Sequence, residues 1–238
     1  MKVLAIESSS RVATCAVMDE NSLLGEYIIN DKMTHSKKLM PAIGELMTSL
    51  DLKPEDIDVY SGSTGPGSFT GLRIGLASIK AMAHAHEKEV IGIPTMDALA
   101  FNMPYVEGIV VPMMDARRDR VYTGIYKWEY GVFNTIMEQD VLSVDEIIDI
   151  LLKRNERIVV NGDGGVKYRD VLTEKLEDRV VFSPNSTNMP RASSVAELAI
   201  MKIKNGEGID YRKLIPDYLR KSQAERQYEK RMQERNER

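Results

Sequence analysis

Apolar and polar positions follow two rhythms along this chain. Short apolar runs at Val3–Ile6, Thr14–Val17 and Leu23–Ile29, each bounded by polar or turn residues, predict three strands. From about His35 to Leu50 the period lengthens, with Leu39, Ile43, Leu46 and Leu50 at helical spacing. A strand near Ile57–Tyr60, a glycine corner, a helix reaching about His86 and a strand at Val90–Ile93 complete the order β-β-β-α-β-α-β. The second half repeats it. Strands are predicted at Ile109–Met113, Val121–Tyr126 and Phe133–Met137, then a helix from about Val144 to Lys153 and a strand at Ile158–Val160. A glycine turn, a helix near Tyr168–Leu176, a strand at Val180–Phe182 and a last helix from Val195 to about Asn205 follow. Ser143 with Glu146, and Ser194 with Glu197, have the spacing of capping boxes, in which a hydroxyl and a carboxylate satisfy each other's orphan amides. Gly206 is placed to end the last helix.

One element order occurring twice predicts an α/β protein made of two duplicated lobes, each a mixed β-sheet with helices on it. We place the first lobe at residues 1–105 and a smaller second lobe at 106–220. The last helix, about 195–205, is set to pack back on the first lobe. Residues 221–238 form a polar tail whose six basic side chains are diluted by four glutamates, which predicts a frayed or disordered extension.

Composition narrows the function classes. A hydrophobic fraction of 43% supplies a real core, and no apolar run approaches the roughly 20 residues of a membrane span. The start, MKVLAIESSS, turns polar too soon for a signal peptide. The single cysteine, Cys15, cannot form an internal disulfide and suits a reducing cytoplasm. Its strand-like context, ATCAVM, predicts a buried thiol. A net charge of −4 argues against a broad basic surface that binds nucleic acid unaided.

The stretch SGSTGPGSFTGLRIG, Ser61 to Gly75, holds five glycines (Gly62, Gly65, Gly67, Gly71, Gly75) just before a helical pattern. It lacks the lysine of a P-loop, and the spacing of Gly65, Gly67 and Gly71 is one residue too long for a dinucleotide fingerprint. A tight corner is therefore the leading reading, and backbone amides at the helix start are the alternative.

These residues carry a family resemblance. VLAIESSS, HSKKLMPAI, TGPGSFTGLRIGLASIKAMA, MDARRDRVY and PDYLRKSQAE together resemble the TsaB (YeaZ) family, over essentially the whole chain up to about Glu225. The resemblance implies the duplicated actin-like (ribonuclease H-like) fold. It also implies a non-catalytic subunit that pairs with a TsaD-like transferase and works with a TsaE-like ATPase. The product is threonylcarbamoyl on adenosine 37 of tRNAs that read codons beginning with A, with tRNA met indirectly through the complex. Self-pairing of the free chain stays open. By analogy within the fold, Glu7 and Asp115, each after the first strand of its lobe, sit where a nucleotide cleft would lie.

Catalytic and metal-binding residues are expected to be none. The related transferase carries two metal-binding histidines on a helix after a strand ending in Ile-Pro; here that segment reads GIPTMDALAFN and has no histidine. Its carboxylate, Asp97, is expected at the surface or at a cap. His84 and His86 point to different sides of a helix, and His35 stands apart from both. No H-E-x-x-H occurs, which disfavours a metalloprotease. No cofactor is expected, although Ser8–Ser10 and Gly164–Gly165 leave room for weak ATP binding, and an ATP-dependent phosphotransferase of the same fold is the rival reading.

Docking is expected on the first-lobe helices. Gly71, Gly75 and Ser78 recur at helical spacing, with Met82 one turn on. A glycine within a helix costs about 1 kcal/mol against alanine, so Gly75 implies a close approach, either to its own sheet or to a partner's helix. With the resemblance, the expected partner interface is His35, Leu39, Met40, Ile43, Met47, Gly71, Gly75, Ser78 and Met82. The charged turn at Asp115, Arg117 and Arg118 is a candidate for lobe orientation or tRNA contact.

Overall fold

The computed structural model describes residues 1–30, 35–220 and 232, with the backbone alone at His35 and Ser36. The chain opens with β1 (Lys2–Glu7), β2 (Ala13–Asp19) and β3 (Leu23–Ile29), followed by α1 (His35–Ser49), β4 (Val59–Gly65), α2 (Phe69–Ala85) and β5 (Glu89–Pro94). A short helix, α3 (Thr95–Phe101), leads into β6 (Ile109–Asp115), β7 (Arg120–Glu129) and β8 (Val132–Ser143). Then come α4 (Val144–Leu152), β9 (Ile158–Asn161), α5 (Asp163–Lys167), α6 (Arg169–Leu176), β10 (Val180–Phe182) and α7 (Ala192–Lys204).

The strands form two five-stranded sheets of one topology, β3-β2-β1-β4-β5 and β8-β7-β6-β9-β10. In each, the first three strands run antiparallel and the last two pair parallel to the first strand's side. This is the duplicated actin-like (ribonuclease H-like) α/β fold. Its strands read as continuous apolar runs because both faces are covered. On the first sheet, Leu4, Ile6, Cys15 and Val17 meet Leu39, Ile43, Leu46 and Met47 of α1 and Leu76 and Ile79 of α2. On the other face Val3, Ala5, Ala16 and Ile91 meet Ala192, Val195, Ala196 and Ala199 of α7.

The lobes exchange cover. While α7 returns from lobe two to close the first sheet, α3 lies on the second: Met96, Leu99 and Ala100 pack on Val110, Met114, Tyr122 and Tyr126. The opposite face of the second sheet carries α4 and α6, through Ile147, Ile148, Leu151, Leu172 and Leu176.

Local signals read differently once packed. The Ser143–Glu146 box forms: the Glu146 amide donates to Ser143 Oγ at 3.2 Å, and the Ser143 amide to Glu146 Oε2 at 2.6 Å. The expected box at Ser194 and Glu197 does not. α7 begins earlier, at Ala192, and Ser194 Oγ is buried and donates to Asn102 Oδ1 at 2.6 Å. The amides of this helix end are satisfied from lobe one, Ala192 by Thr14 Oγ1 at 2.8 Å and Ser193 by Glu26 Oε1 at 3.0 Å. The far end closes on Gly206 (φ 77°), with the Gly206 and Glu207 amides on the Ile203 and Lys202 carbonyls, a Schellman cap. The glycine turn after β9 is itself the helix α5.

Candidate functional site

The strands β1 and β4 pair in parallel and end side by side in polar residues, Glu7 on one and Ser63 and Thr64 on the other. Along β1 the side chains alternate, so Glu7 shares the α7 face with Val3 and Ala5. Its carboxylate is fully buried. It accepts from the Ser9 amide at 2.6 Å, from Ser9 Oγ at 2.5 Å and from Ser63 Oγ on β4. A buried carboxylate with several donors is held inside the fold rather than offered outward.

The glycine corner closes over the same turn. The Ser68 amide donates to the Ser9 carbonyl at 2.6 Å, and Ser68 Oγ accepts from the Gly71 amide at 3.2 Å as the N-cap of α2. Ser8 Oγ donates to the Gly71 carbonyl at 2.9 Å. The Ser68 and Gly71 amides at the start of α2 are thus engaged by the chain itself, and the Ser8–Ser9 turn lies against this corner.

Behind the corner runs a segment that crosses back from α7. Ile209 pairs with Val90 at the edge of the first sheet. Leu214 enters the core, the Asp217 amide donates to the Thr64 carbonyl at 2.7 Å, and Tyr218 stacks on Phe69 at 4.4 Å. Arg73 Nε donates to the Tyr218 hydroxyl at 2.9 Å, and Arg220 Nη1 reaches the Ala116 carbonyl of lobe two at 2.5 Å.

In lobe two the acidic turn is also engaged. Asp115 Oδ1 accepts from Lys167 Nζ and from the Arg117 amide, both at 2.9 Å, and the Asp115 amide donates to Asp163 Oδ1 at 3.0 Å. Arg117, Arg118 and Asp119 all have positive φ, between 54° and 63°, which presents both exposed arginines on a tight left-handed turn.

Asp97, expected at the surface or at a cap, is half-buried at a helix start. It sits in the first turn of α3, facing lobe two, and accepts from the Tyr126 hydroxyl at 2.8 Å. Burial pushes its carboxyl above the ordinary aspartate value, and the Tyr126 hydrogen bond opposes that shift. Burial and the neighbouring Asp97 charge raise the Tyr126 phenol in turn. The sequence carried a faint sign of this tie, a lone acid in the apolar run TMDALAF.

The expected interface residues separate into two groups. Leu39, Ile43 and Met47 are core residues of lobe one, and Met82 packs against the same core half-buried. Gly71 and Gly75 are buried too. A Cβ on Gly75 would meet Ser8 Oγ well inside van der Waals contact and Ile6 Cγ2 at 3.4 Å. The expectation that Gly75 opens toward a partner is therefore corrected: the missing side chain makes room for β1 and its serine turn. Ser78 is half-buried and its hydroxyl donates to the Ile74 carbonyl at 2.9 Å. Met40 alone of the described set is largely exposed, at 46%. His35 is the first residue of α1, and its side chain lies outside the described residues. Outward on α1 stand Lys37, Met40, Pro41, Gly44 and Glu45, and on α2 Thr70, Arg73, Ala77, Ala81 and Ala85.

Among the described residues, no three His, Cys, Asp or Glu side chains converge as metal ligands would. His84 Nδ1 is engaged with the Tyr211 hydroxyl at 2.6 Å. No helix among them is long and apolar enough to cross a membrane.

This geometry can be set beside known proteins. The TsaD family, tRNA N6-adenosine threonylcarbamoyltransferase, matches residues 22–228. The chain belongs to the TsaD family and is of the TsaB (YeaZ) type. It is 29% identical to the tRNA threonylcarbamoyladenosine biosynthesis protein TsaB of Bacillus subtilis, over 94% of this chain and 96% of that one. The corresponding Escherichia coli TsaB is 23% identical, with the same coverage of both chains. The solved structure of YeaZ from Pseudomonas aeruginosa superposes with a TM-score of 0.79 at 23% identity, covering 92% of this chain and 99% of that chain, which shows the shared fold.

Proposed function

We propose that this chain is an accessory, partner-binding subunit in the threonylcarbamoylation of adenosine 37 in tRNAs that read codons beginning with A. A TsaD-like transferase carries the chemistry, and a TsaE-like ATPase completes the machinery. Full-length similarity to proteins named for tRNA threonylcarbamoyladenosine biosynthesis supports the pathway.

One observation carries the non-catalytic reading: the acidic tips of both lobes are turned to structural use. Glu7 is buried on Ser9 and Ser63, and Asp115 is paired with Lys167. The helix that would hold metal ligands, α3, carries Thr95, Met96 and Asp97 instead, and Asp97 is tied to Tyr126. The Ser68 and Gly71 amides at the start of α2, taken by the Ser9 carbonyl and by Ser68 Oγ, argue likewise against a nucleotide cofactor.

Docking then falls on the outward faces of α1 and α2, where Ala77 and Ala81 leave the helix surface low enough for a second helix to approach closely. The test is titration with the TsaD-like protein from the same cells. The native chain is expected to bind it and to lack transferase activity alone. Ala77→Arg with Ala81→Arg should melt as the native chain does and lose at least about tenfold in affinity, roughly 1.4 kcal/mol. Transferase activity in the isolated chain, or native affinity in a well-folded double variant, would overturn the reading.

A further inference from the structure

Gln139 stands on β8 of the second sheet, and the hydrogen bonds of its side chain all go to segments outside that sheet. Its Nε2 donates to the Gly65 carbonyl at 3.1 Å and to Asp217 Oδ2 at 3.2 Å, and its Oε1 accepts from the Met96 amide at 3.3 Å. One amide thus joins the glycine corner, the segment after α7 and the start of α3.

The backbone explains how it gets there. The β7–β8 register shifts between Thr123↔Asp140 and Ile125↔Met137, which leaves one extra residue on β8 at Glu138–Gln139, opposite Gly124. Such a bulge bends a strand and re-aims a side chain. The space is tight there: a Cβ on Gly124 would lie 2.9 Å from Tyr126 Cε2 and 3.0 Å from the Met137 carbonyl.

The chain passes between the lobes after α3 and again before α7, and two such passages alone would leave a hinge. Segment 209–220 makes a third. It is fastened to lobe one at Val90, Thr64 and Phe69, to Gln139 through Asp217, and to the Ala116 carbonyl through Arg220.

We propose that Gln139 and segment 209–220 form a latch that fixes the angle between the two lobes. With it closed, the hinge motion available to two-lobed proteins is suppressed. Displacing the segment from Gln139 frees lobe two to turn about the α3 and α7 passages.

The test measures the free, full-length chain, so its outcome is independent of partner docking. Spin labels placed by Glu55→Cys in lobe one and Glu174→Cys in lobe two report the interlobe distance; Cys15, at 1% exposure, stays unlabelled. The native background is expected to show one narrow distance distribution. Gln139→Ala should broaden it about twofold as a second population appears. An unchanged narrow distribution in a variant that melts cooperatively would overturn the latch. Should Gln139→Ala fail to fold, Asp217→Ala, at an exposed residue, decides by the same criterion.

Discussion

Gly75 and Ser8 occupy one space: the position a Cβ would take on the helix glycine is filled by the serine hydroxyl, which donates to the Gly71 carbonyl one turn away. Helix α2 is therefore seated on the turn after β1 with no room for a side chain. Gly75→Leu should destabilise the free chain by at least the roughly 1–3 kcal/mol of an overpacked core. Thermal melting checks it; a native melting temperature would mean that Gly75 does not face Ser8.

Asp97 should leave a pH signature. Its folded carboxyl holds a proton to higher pH than the unfolded one, which titrates near 3.8. The stability this adds is complete below that ordinary value and is lost as pH rises through the raised, folded one. Asp97→Asn keeps an oxygen for the Tyr126 hydroxyl and removes the titration. Urea unfolding over a pH series should show the variant gaining on the native chain as pH rises from 3.8, then running parallel. A constant difference throughout the acid range would refute the buried tie.

The Ser143 cap stands at the outer end of α4 and can be removed without disturbing the core. Ser143→Ala should cost about 1 kcal/mol, a fall of about 2–4 °C in Tm for a chain of this size. Glu146→Gln keeps hydrogen-bonding capacity for the Ser143 amide and should cost less. Equal losses would mean that the carboxylate charge, rather than the reciprocal cap, holds this end.

Cys15 should be inert in the native chain. Burial pushes its thiol up to about 12, so almost no thiolate exists at pH 8. A thiol reagent should label it only as the chain unfolds, with a urea dependence that follows the circular-dichroism transition. Rapid native labelling would place it outside the core of lobe one.

Much of this architecture is local and could be read from the chain. The apolar runs of β1, β2, β6 and β9, the helical stripe of Leu39, Ile43 and Leu46, and the Ser143–Glu146 box are patterns of near neighbours, set by backbone periodicity and by the need to satisfy helix ends. The repeat of element order had the same source, and the TGPGSFTGLRIG segment carried the family. Other features depend on residues that meet only when distant segments pack. Periodicity placed Gly71 and Gly75 on one helix face, but whether that face looked inward depended on Ser8, 67 positions before Gly75 in the chain. Asp97 looked like a surface or capping acid until Tyr126 arrived from the other sheet, and Ser194 looked like a cap until Asn102 claimed its hydroxyl. Gln139 gave no signal at all, because its aim comes from a bulge, a register shift between two strands that neither strand encodes alone. Sequence determined which elements form and which apolar stripe each must bury; tertiary structure decided which polar groups are used up in holding the lobes together, because a hydrogen bond needs both of its partners in place.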